Sequence, residues 1–262
     1  MPVSADYLTR LFGLEGEVAV ITGGGGSVGA ATAMAFARAG AAVVLADKVA
    51  EAAERAAGEV QAAGGRALAL SMDVTQEDSV RAAVERVTRE FGKVDILVNN
   101  AGINLRKLAQ ELTPADWAAV MDVNVTGYFI CARAVGPGMI ARRSGRIINV
   151  ASIMGHRGSP ISPNLLYNTS KGAVVNFTRS LAVEWAPHGI RVNAVAPTYL
   201  RTPLTEKLLS DPEIHGKIVA RTPMGEVGVP EDLAGAMLFL ASTASSLVTG
   251  HILAVDGGWL AW

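Results

Sequence analysis

Cysteine is nearly absent: among 262 residues only Cys131 carries a thiol. A single cysteine excludes a disulfide within the chain and leaves no thiolate cluster for a metal. Lying in an apolar helical stretch, it reads as inert core. An excess of one charge is missing too. The 23 Lys and Arg nearly balance the 24 Asp and Glu, for a formal net charge of −1, and Arg142-Arg143 is the only adjacent pair of arginines. Nothing in that distribution favours nucleic acid or an anionic membrane surface as a partner. Long hydrophobic runs are also lacking. No stretch reaches the roughly 18 consecutive apolar residues of a membrane span, and the Ala-rich region around 30–46 is broken by Arg38. Met1–Gly16 has no basic segment followed by an apolar one, so no signal peptide is expected. His188, His215 and His251 stand apart without ligand spacing, and no metal site is expected. These absences together predict a cytoplasmic protein of a reducing compartment.

What is present is regular alternation. Half of the chain is apolar, enough for a large core. Short β-branched runs alternate with longer amphipathic ones, predicting strands at Glu17–Thr22, Ala42–Ala46, Ala67–Ser71, Val94–Val98, Arg146–Val150, Ile190–Ala196 and His251–Val255. Helices are expected over about 27–39, 50–63, 76–91 and 165–186, with another beginning after Thr113-Pro114, where Thr caps and Pro suits the first turn. Continuous apolar strands alternating with helices predict an α/β fold, a doubly wound parallel sheet of about seven strands with helices on both faces. No linker or repeat divides the chain, so residues 1–262 are expected to form a single Rossmann-type domain.

The turn after the first strand, Thr22-Gly-Gly-Gly-Gly-Ser-Val-Gly29, satisfies three motifs at once. Gly24, Gly26 and Gly29 fit G-x-G-x-x-G, whose glycines let the backbone approach a pyrophosphate at a helix N-terminus. Gly25, Ser27 and Gly29 fit the G-x-S-x-G elbow of serine hydrolases, with His251 as an available partner. Thr22, Gly23 and Gly29 fit T-G-x-x-x-G-x-G, with Ser27 in place of the middle glycine. Asp47 closes the second strand. A carboxylate there accepts the hydroxyls of an adenosine ribose and repels a 2′-phosphate, favouring NAD over NADP; Lys48 beside it softens that preference. Capping the helix near Ala50 is the plain alternative for Asp47.

Tyr167-Asn-Thr-Ser-Lys171 places a phenol and an ammonium one helical turn apart on one face. A free phenol titrates near pH ~10, and a neighbouring cation favours the phenolate. A Tyr tuned in this way exchanges a proton with an alcohol oxygen.

Taken with the glycine turn, Asn99-Asn-Ala-Gly102 after the fourth strand and Ser152 after the fifth, this pattern resembles the short-chain dehydrogenase/reductase family from about Phe12 to Trp259. Further matches are Asp73-Val74, Asn124, Pro197 with Thr202, and Asp256-Gly-Gly258. The resemblance implies an NAD(P)-dependent oxidoreductase acting on CH–OH groups. It casts Tyr167 as acid/base, Lys171 as holder of the nicotinamide ribose that lowers the Tyr pKa, and Ser152 as the hydrogen-bonding partner of the substrate oxygen. Asn124 shapes its helix and holds a water linking Lys171 to solvent. On the cofactor side the resemblance implies Gly23, Ser27, Val28, Gly29, Asp47, Asp73, Val74, Asn100, Ala101, Gly102, Pro197, Thr198, Leu200 and Thr202, together with Tyr167 and Lys171. Two departures stand out. Ser152 and Tyr167 are 15 apart, with His156, Arg157, Pro160 and Pro163 between them, predicting a reshaped pocket wall. Thr198 stands where the family commonly has Gly, predicting a less permissive loop.

Within the family, the ending Ala254–Ala261 and the run Asn99–Ile103 followed by Arg106 resemble the sugar-acid branch, the gluconate 5-dehydrogenases and 2-deoxy-gluconate 3-dehydrogenases. The expected reaction is hydride transfer between nicotinamide and a secondary alcohol or ketone of a sugar acid or polyol. Arg106 or Arg157 would pair with a substrate carboxylate. Two alternatives remain: a 3-oxoacyl-thioester reductase using NADPH, and a non-catalytic dinucleotide-binding regulatory protein on the same fold. Trp259 and Trp262 are expected to be exposed near a subunit contact of the homotetramer that the resemblance implies.

Overall fold

A computed structural model describes residues 5–159 and 161–262. Met1–Ser4 and Pro160 lie outside the described residues, so the start of the stretch read for a leader, and one proline of the 153–166 loop, rest on sequence alone. Seven parallel strands form one sheet in the order β3-β2-β1-β4-β5-β6-β7: β1 (Val18–Thr22), β2 (Ala42–Asp47), β3 (Arg66–Ser71), β4 (Ile96–Asn99), β5 (Gly145–Val150), β6 (Ile190–Pro197) and β7 (Ile252–Val255). All of β1 and β4 is buried, as a strand covered by helices on both faces must be. Each Val, Ile or Leu buried there contributes ~1.5–3 kcal/mol.

After a short N-terminal helix, α1 (Ala5–Phe12), the helices divide between the two faces. On one side lie α2 (Ser27–Arg38) and α3 (Ala50–Ala62), whose Phe36 and Val60 pack on Ile21, Val43 and Leu45. On the other lies α4 (Glu77–Phe91), with Val80 and Val87 against Val20 and Val44. The fifth helix, α5 (Pro114–Met121), starts as the sequence predicts: Thr113 Oγ accepts the Asp116 N–H at 3.1 Å while the Asp116 carboxylate accepts the Thr113 N–H at 3.0 Å. It runs through a π-helical turn, Asp122–Thr126, into α6 (Gly127–Arg142). Among the described residues this run, 114–142, is the one helix long and apolar enough to cross a bilayer; here α6 packs on β4 and β5. Beside α6 lies α7 (Leu165–Trp185), and after β6 come α8 (Pro203–Leu209), α9 (Pro212–Ala220) and α10 (Ala234–Ala241).

The chain winds β1, β2, β3 outward in one direction and resumes at β4 on the other flank of β1. That reversal opens a crevice at the carboxyl ends of β1 and β4, where α/β sheets of this kind bind ligands. The sequence patterns anticipated all seven strands to within about two residues. The π turn, α1 and α10 went unpredicted, because a π turn carries no distinct periodicity and the two helices are only eight residues long each.

Candidate active site

Side chains stitch the crevice together. Thr22 Oγ accepts the backbone N–H groups of Asn100 and Ala101 at 3.0 Å each. Asn100 Nδ2 donates in return to the carbonyls of Thr22 and Gly23, both at 3.0 Å. This close approach requires Gly23, which has φ +62° and where a Cβ would stand 2.9 Å from Ala101 Cα. Gly29, in the first turn of α2, faces the Gly23 carbonyl too closely for any side chain. No side chain caps α2 at Gly26, so its first N–H groups and their partial positive charge serve the crevice.

A cleft of about 460 Å³ lies here, lined by Gly23, Ser27, Val28, Asp47, Asp73, Val74, Asn100, Ala101, Gly102 and Thr202, all of them expected cofactor residues. Asp47 combines its two readings. It faces the cleft, and its carboxylate accepts the N–H groups of Gly25 at 3.1 Å and Val49 at 3.0 Å. Lys48 is engaged elsewhere, 2.7 Å from Asp73; that contact, with the Thr75 hydrogen bonds, holds the Asp73 carboxyl below the usual range against the opposing effect of partial burial. A glycine-only approach, an uncapped helix N-terminus and a carboxylate at the end of β2 fit a dinucleotide with its adenosine ribose on Asp47.

Three other expected cofactor residues are placed differently. Leu200 is buried in the core on the α2 face, and its carbonyl accepts the Thr205 hydroxyl. Pro197 ends β6 in register with Val255 and lines neither the cleft nor the pocket described below. Thr198 lines that pocket instead. Its backbone is unstrained, since Arg143 is the only non-glycine residue with positive φ among the described residues. The loop therefore does not need the glycine common in the family. These positions lie at or just after the end of β6, and one residue's difference along an extended chain decides which cavity a side chain faces.

Three elements, the π turn, the end of β5 and α7, bring Asn124, Ser152, Tyr167 and Lys171 together. Asn124 is buried in the π turn. Its Nδ2 donates to Ile103 O and Ser170 Oγ, each at 3.0 Å, and its Oδ1 accepts the Ile103 N–H at 2.8 Å. Ser152 accepts the Met154 N–H at 3.1 Å, which leaves its own O–H to donate. Lys171 is buried, with Nζ 2.6 Å from the Val150 carbonyl and 5.5 Å from the Tyr167 ring centre, so the two residues share one face as predicted.

The electrostatics correct one expectation. Burial pushes the Tyr167 phenol above its ordinary value, and Tyr199 adds to the shift. The Ser152 hydroxyl and the Arg106 charge oppose it. Burial also lowers Lys171 itself to about 7, so it draws the phenol down only as far as its charged form is held.

A second, narrower cavity of about 50 Å³ adjoins Ser152 and Tyr167, lined also by Asn104, Arg106, Asn164, Thr198, Tyr199, Leu204 and Thr205. At roughly that size a cavity holds a water or two, and α8, which carries Leu204 and Thr205, closes one side of it. Asn104 Oδ1, Arg106 Nε, Asn164 Oδ1 and Thr198 Oγ are buried without a partner, and all four residues line this cavity. Buried polar atoms are rarely left unpaired without a reason. Arg106 therefore presents an unpaired N–H among the cavity-lining residues, whereas Arg157 lines an outer groove and donates to Trp262 O at 3.3 Å. Asn104 and Asn164 were not anticipated; their signal was position, two residues after Gly102 and three before Tyr167.

Two further expectations are overturned. Trp259 is buried, its ring centre 5.5 Å from that of Tyr199, and it packs beneath α8 and α9 with Leu208 and Ile218; only Trp262 of the pair is exposed. The hydrolase elbow fails on topology. Ser27 follows the carboxyl end of β1 and His251 precedes the amino end of β7, so they lie at opposite ends of the strands of a parallel sheet. Cys131 is inert as expected, its thiol pushed up to about 12 by burial.

Comparison with known proteins agrees with this geometry. Residues 24–260 match the family described as enoyl-(acyl carrier protein) reductase. The chain is 45% identical over 255 residues to galactitol 2-dehydrogenase of Rhizobium johnstonii, covering 96% of this chain and 98% of that protein. It is 47% identical over 246 residues to cis-4-hydroxycyclohexanecarboxylate dehydrogenase of Sinomonas cyclohexanicum, covering 94% and 97%. A gluconate 5-dehydrogenase from Burkholderia cenocepacia, solved with NADP and tartrate, superposes with a TM-score of 0.93 at 39% identity, covering 97% and 99%. The chain therefore belongs to the short-chain dehydrogenase/reductase family of NAD(P)-dependent oxidoreductases.

Proposed function

We propose that this chain interconverts a secondary alcohol and its ketone in a sugar acid or polyol, with NAD preferred over NADP. One observation carries the substrate class: four unpartnered polar groups converge on the cavity that holds Ser152 and Tyr167. Two amide oxygens, a hydroxyl and a guanidinium N–H complement a molecule rich in hydroxyls. The acyl chain of a 3-oxoacyl thioester would leave them unpaired, at a cost of ~1–3 kcal/mol each. The named substrates of the relatives, a polyol and a hydroxy acid, support the same class.

A nicotinamide dinucleotide held by the crevice supplies or accepts the hydride. The chain's own residues do the rest. Ser152 donates to the reacting oxygen and places it beside Tyr167. Tyr167 gives its phenolic proton to the oxygen in reduction and takes it back in oxidation. Lys171 holds the nicotinamide ribose, Asn124 braces the loop and helix around it, and Arg106 offers its fork to a carboxylate. Asp47 supports NAD, and Lys48 is tied to Asp73 and does little to offset it. The NADP found in the Burkholderia structure weighs the other way. The full set of catalytic residues argues against an idle binding protein. We also infer a homotetramer with exposed Trp262 near a subunit contact, which light scattering reads directly.

The test is titration with NADH and NADPH, then turnover of a panel of sugar acids, neutral polyols and 3-oxoacyl thioesters by the native protein and by Arg106→Ala. The expected result is NADH preference and turnover of a polyhydroxylated alcohol. KM should rise about tenfold in the variant for acids and little for polyols. Thioester reduction with NADPH overturns the cofactor and substrate assignments together.

A further inference from the structure

Lys171 has a second tyrosine beside it. Tyr128, in the first turn of α6, is fully buried and lies one turn beyond Asn124. Its hydroxyl donates to the Val150 carbonyl at 3.2 Å, the same oxygen that Lys171 Nζ reaches at 2.6 Å. Lys171 Nζ in turn lies 3.5 Å from the Tyr128 oxygen. The ammonium stands 5.5 Å from the ring centres of both Tyr128 and Tyr167, flanked by the two. Asn124 and Tyr128 thus brace consecutive residues of α7, Ser170 and Lys171. Nothing in the reaction needs a second phenol, and a hydrophobic side chain would fill the space.

We propose that Tyr128 is a positioning residue for Lys171: its hydroxyl and ring face hold the ammonium in place and in its charged form, and through it set the proton affinity of Tyr167. Three contacts make the device. The Tyr128 proton is committed to Val150, so the oxygen lone pair is left for Lys171. The Val150 carbonyl, two residues before Ser152, ties the pair to the strand end that carries the substrate-facing hydroxyl. On the third side Nζ faces Gly102, which lines the cofactor crevice and on which a Cβ would stand 3.7 Å from it. Burial keeps Tyr128 protonated, well above its ordinary titration range, with Tyr167 and Cys131 adding to the shift. The same burial drives Lys171 toward neutrality, so each acceptor for its protons counts. The groups acting on Tyr167 from other elements are Ser152, Arg106 and Tyr199.

This inference rests on the roles proposed for Tyr167 and Lys171. Its test is the pH profile of kcat for alcohol oxidation in Tyr128→Phe. Without the hydroxyl, the charged form of Lys171 loses a partner and stabilises the phenolate less. The apparent pKa of the rising limb should move up by about half a unit to one unit, lowering kcat some 3–10-fold below that limb while the alkaline plateau holds. A packing role alone would scale the profile without moving its pKa, so an unmoved pKa overturns the proposal. Tyr128→Met, lacking both hydroxyl and ring, reads the same shift if the first variant is too unstable to assay. An active Tyr167→Phe would overturn the underlying reading instead, which keeps the two failures distinct.

Discussion

The two halves of the site are built on opposite plans. Around the cofactor crevice the polar side chains bond to the protein itself: Thr22 and Asn100 cross-link β1 to the segment after β4, and Asp47 fastens the glycine turn. Around the substrate cavity, Asn104, Arg106, Asn164 and Thr198 each keep an unpaired polar atom. The crevice is a finished scaffold whose contacts to ligand come largely from backbone, whereas the cavity holds its hydrogen-bonding capacity in reserve. A satisfied network contributes to folding; an unsatisfied one costs stability and returns it only when a complementary ligand arrives.

That contrast can be broken by experiment. The largest effect belongs to Tyr167, which lines the substrate cavity. Tyr167→Phe should lower kcat by about 10²–10⁴-fold with NADH affinity nearly unchanged, whereas comparable turnover by the variant would remove Tyr167 as acid/base. Next comes a matched pair. Asn100→Ala removes the donor to the Thr22 carbonyl and one of two donors to the Gly23 carbonyl, which keeps the Gly26 N–H, and should cost ~1–2 kcal/mol of stability in urea unfolding. Asn164→Ala deletes a side-chain oxygen that is already unpaired, so it should leave stability near that of the parent and raise KM for polyols. Equal destabilisation by the two would erase the distinction between the halves.

The smallest effect sharpens the picture at the boundary. Lys171 titrates near 7 when folded, against an ordinary 10.5. Its burial therefore destabilises the fold in full below about pH 7, and the penalty fades as pH rises toward 10.5, where the unfolded chain also loses the proton. Lys171→Met should be inactive yet more stable by ~1 kcal/mol or more near neutral pH. That advantage should shrink between pH 7 and 10.5. A gap independent of pH would mean that Lys171 is not the group responsible.

Legibility follows the same division. The crevice was readable because its chemistry is local: glycine where φ is positive, Asp47 at a strand end, Asn100 beside Gly102. Tyr167 and Lys171 were readable from helical spacing. What was not legible is side-chain direction set by packing: after β6 Leu200 turns into the core and Thr198 lines the substrate cavity, and Trp259, expected at the surface, lies beneath α8 and α9. Arg106 and Arg157 looked equivalent as residues, and only the folded loops send one into the cavity and the other to the tail. The partners of Tyr128 are 22 and 43 positions away, and no local pattern marks them.

By itself the sequence determined the parallel sheet, its strand boundaries to within about two residues, the glycine crevice and the Tyr–Lys pair. Each of these depends on periodicity or on backbone limits that act within a few residues. Only the tertiary structure decided which polar groups stay unpaired, that Arg106 faces the Tyr167 phenol, and what holds Lys171. Burial and long-range hydrogen bonds set those outcomes, and both arise only once distant segments have packed together.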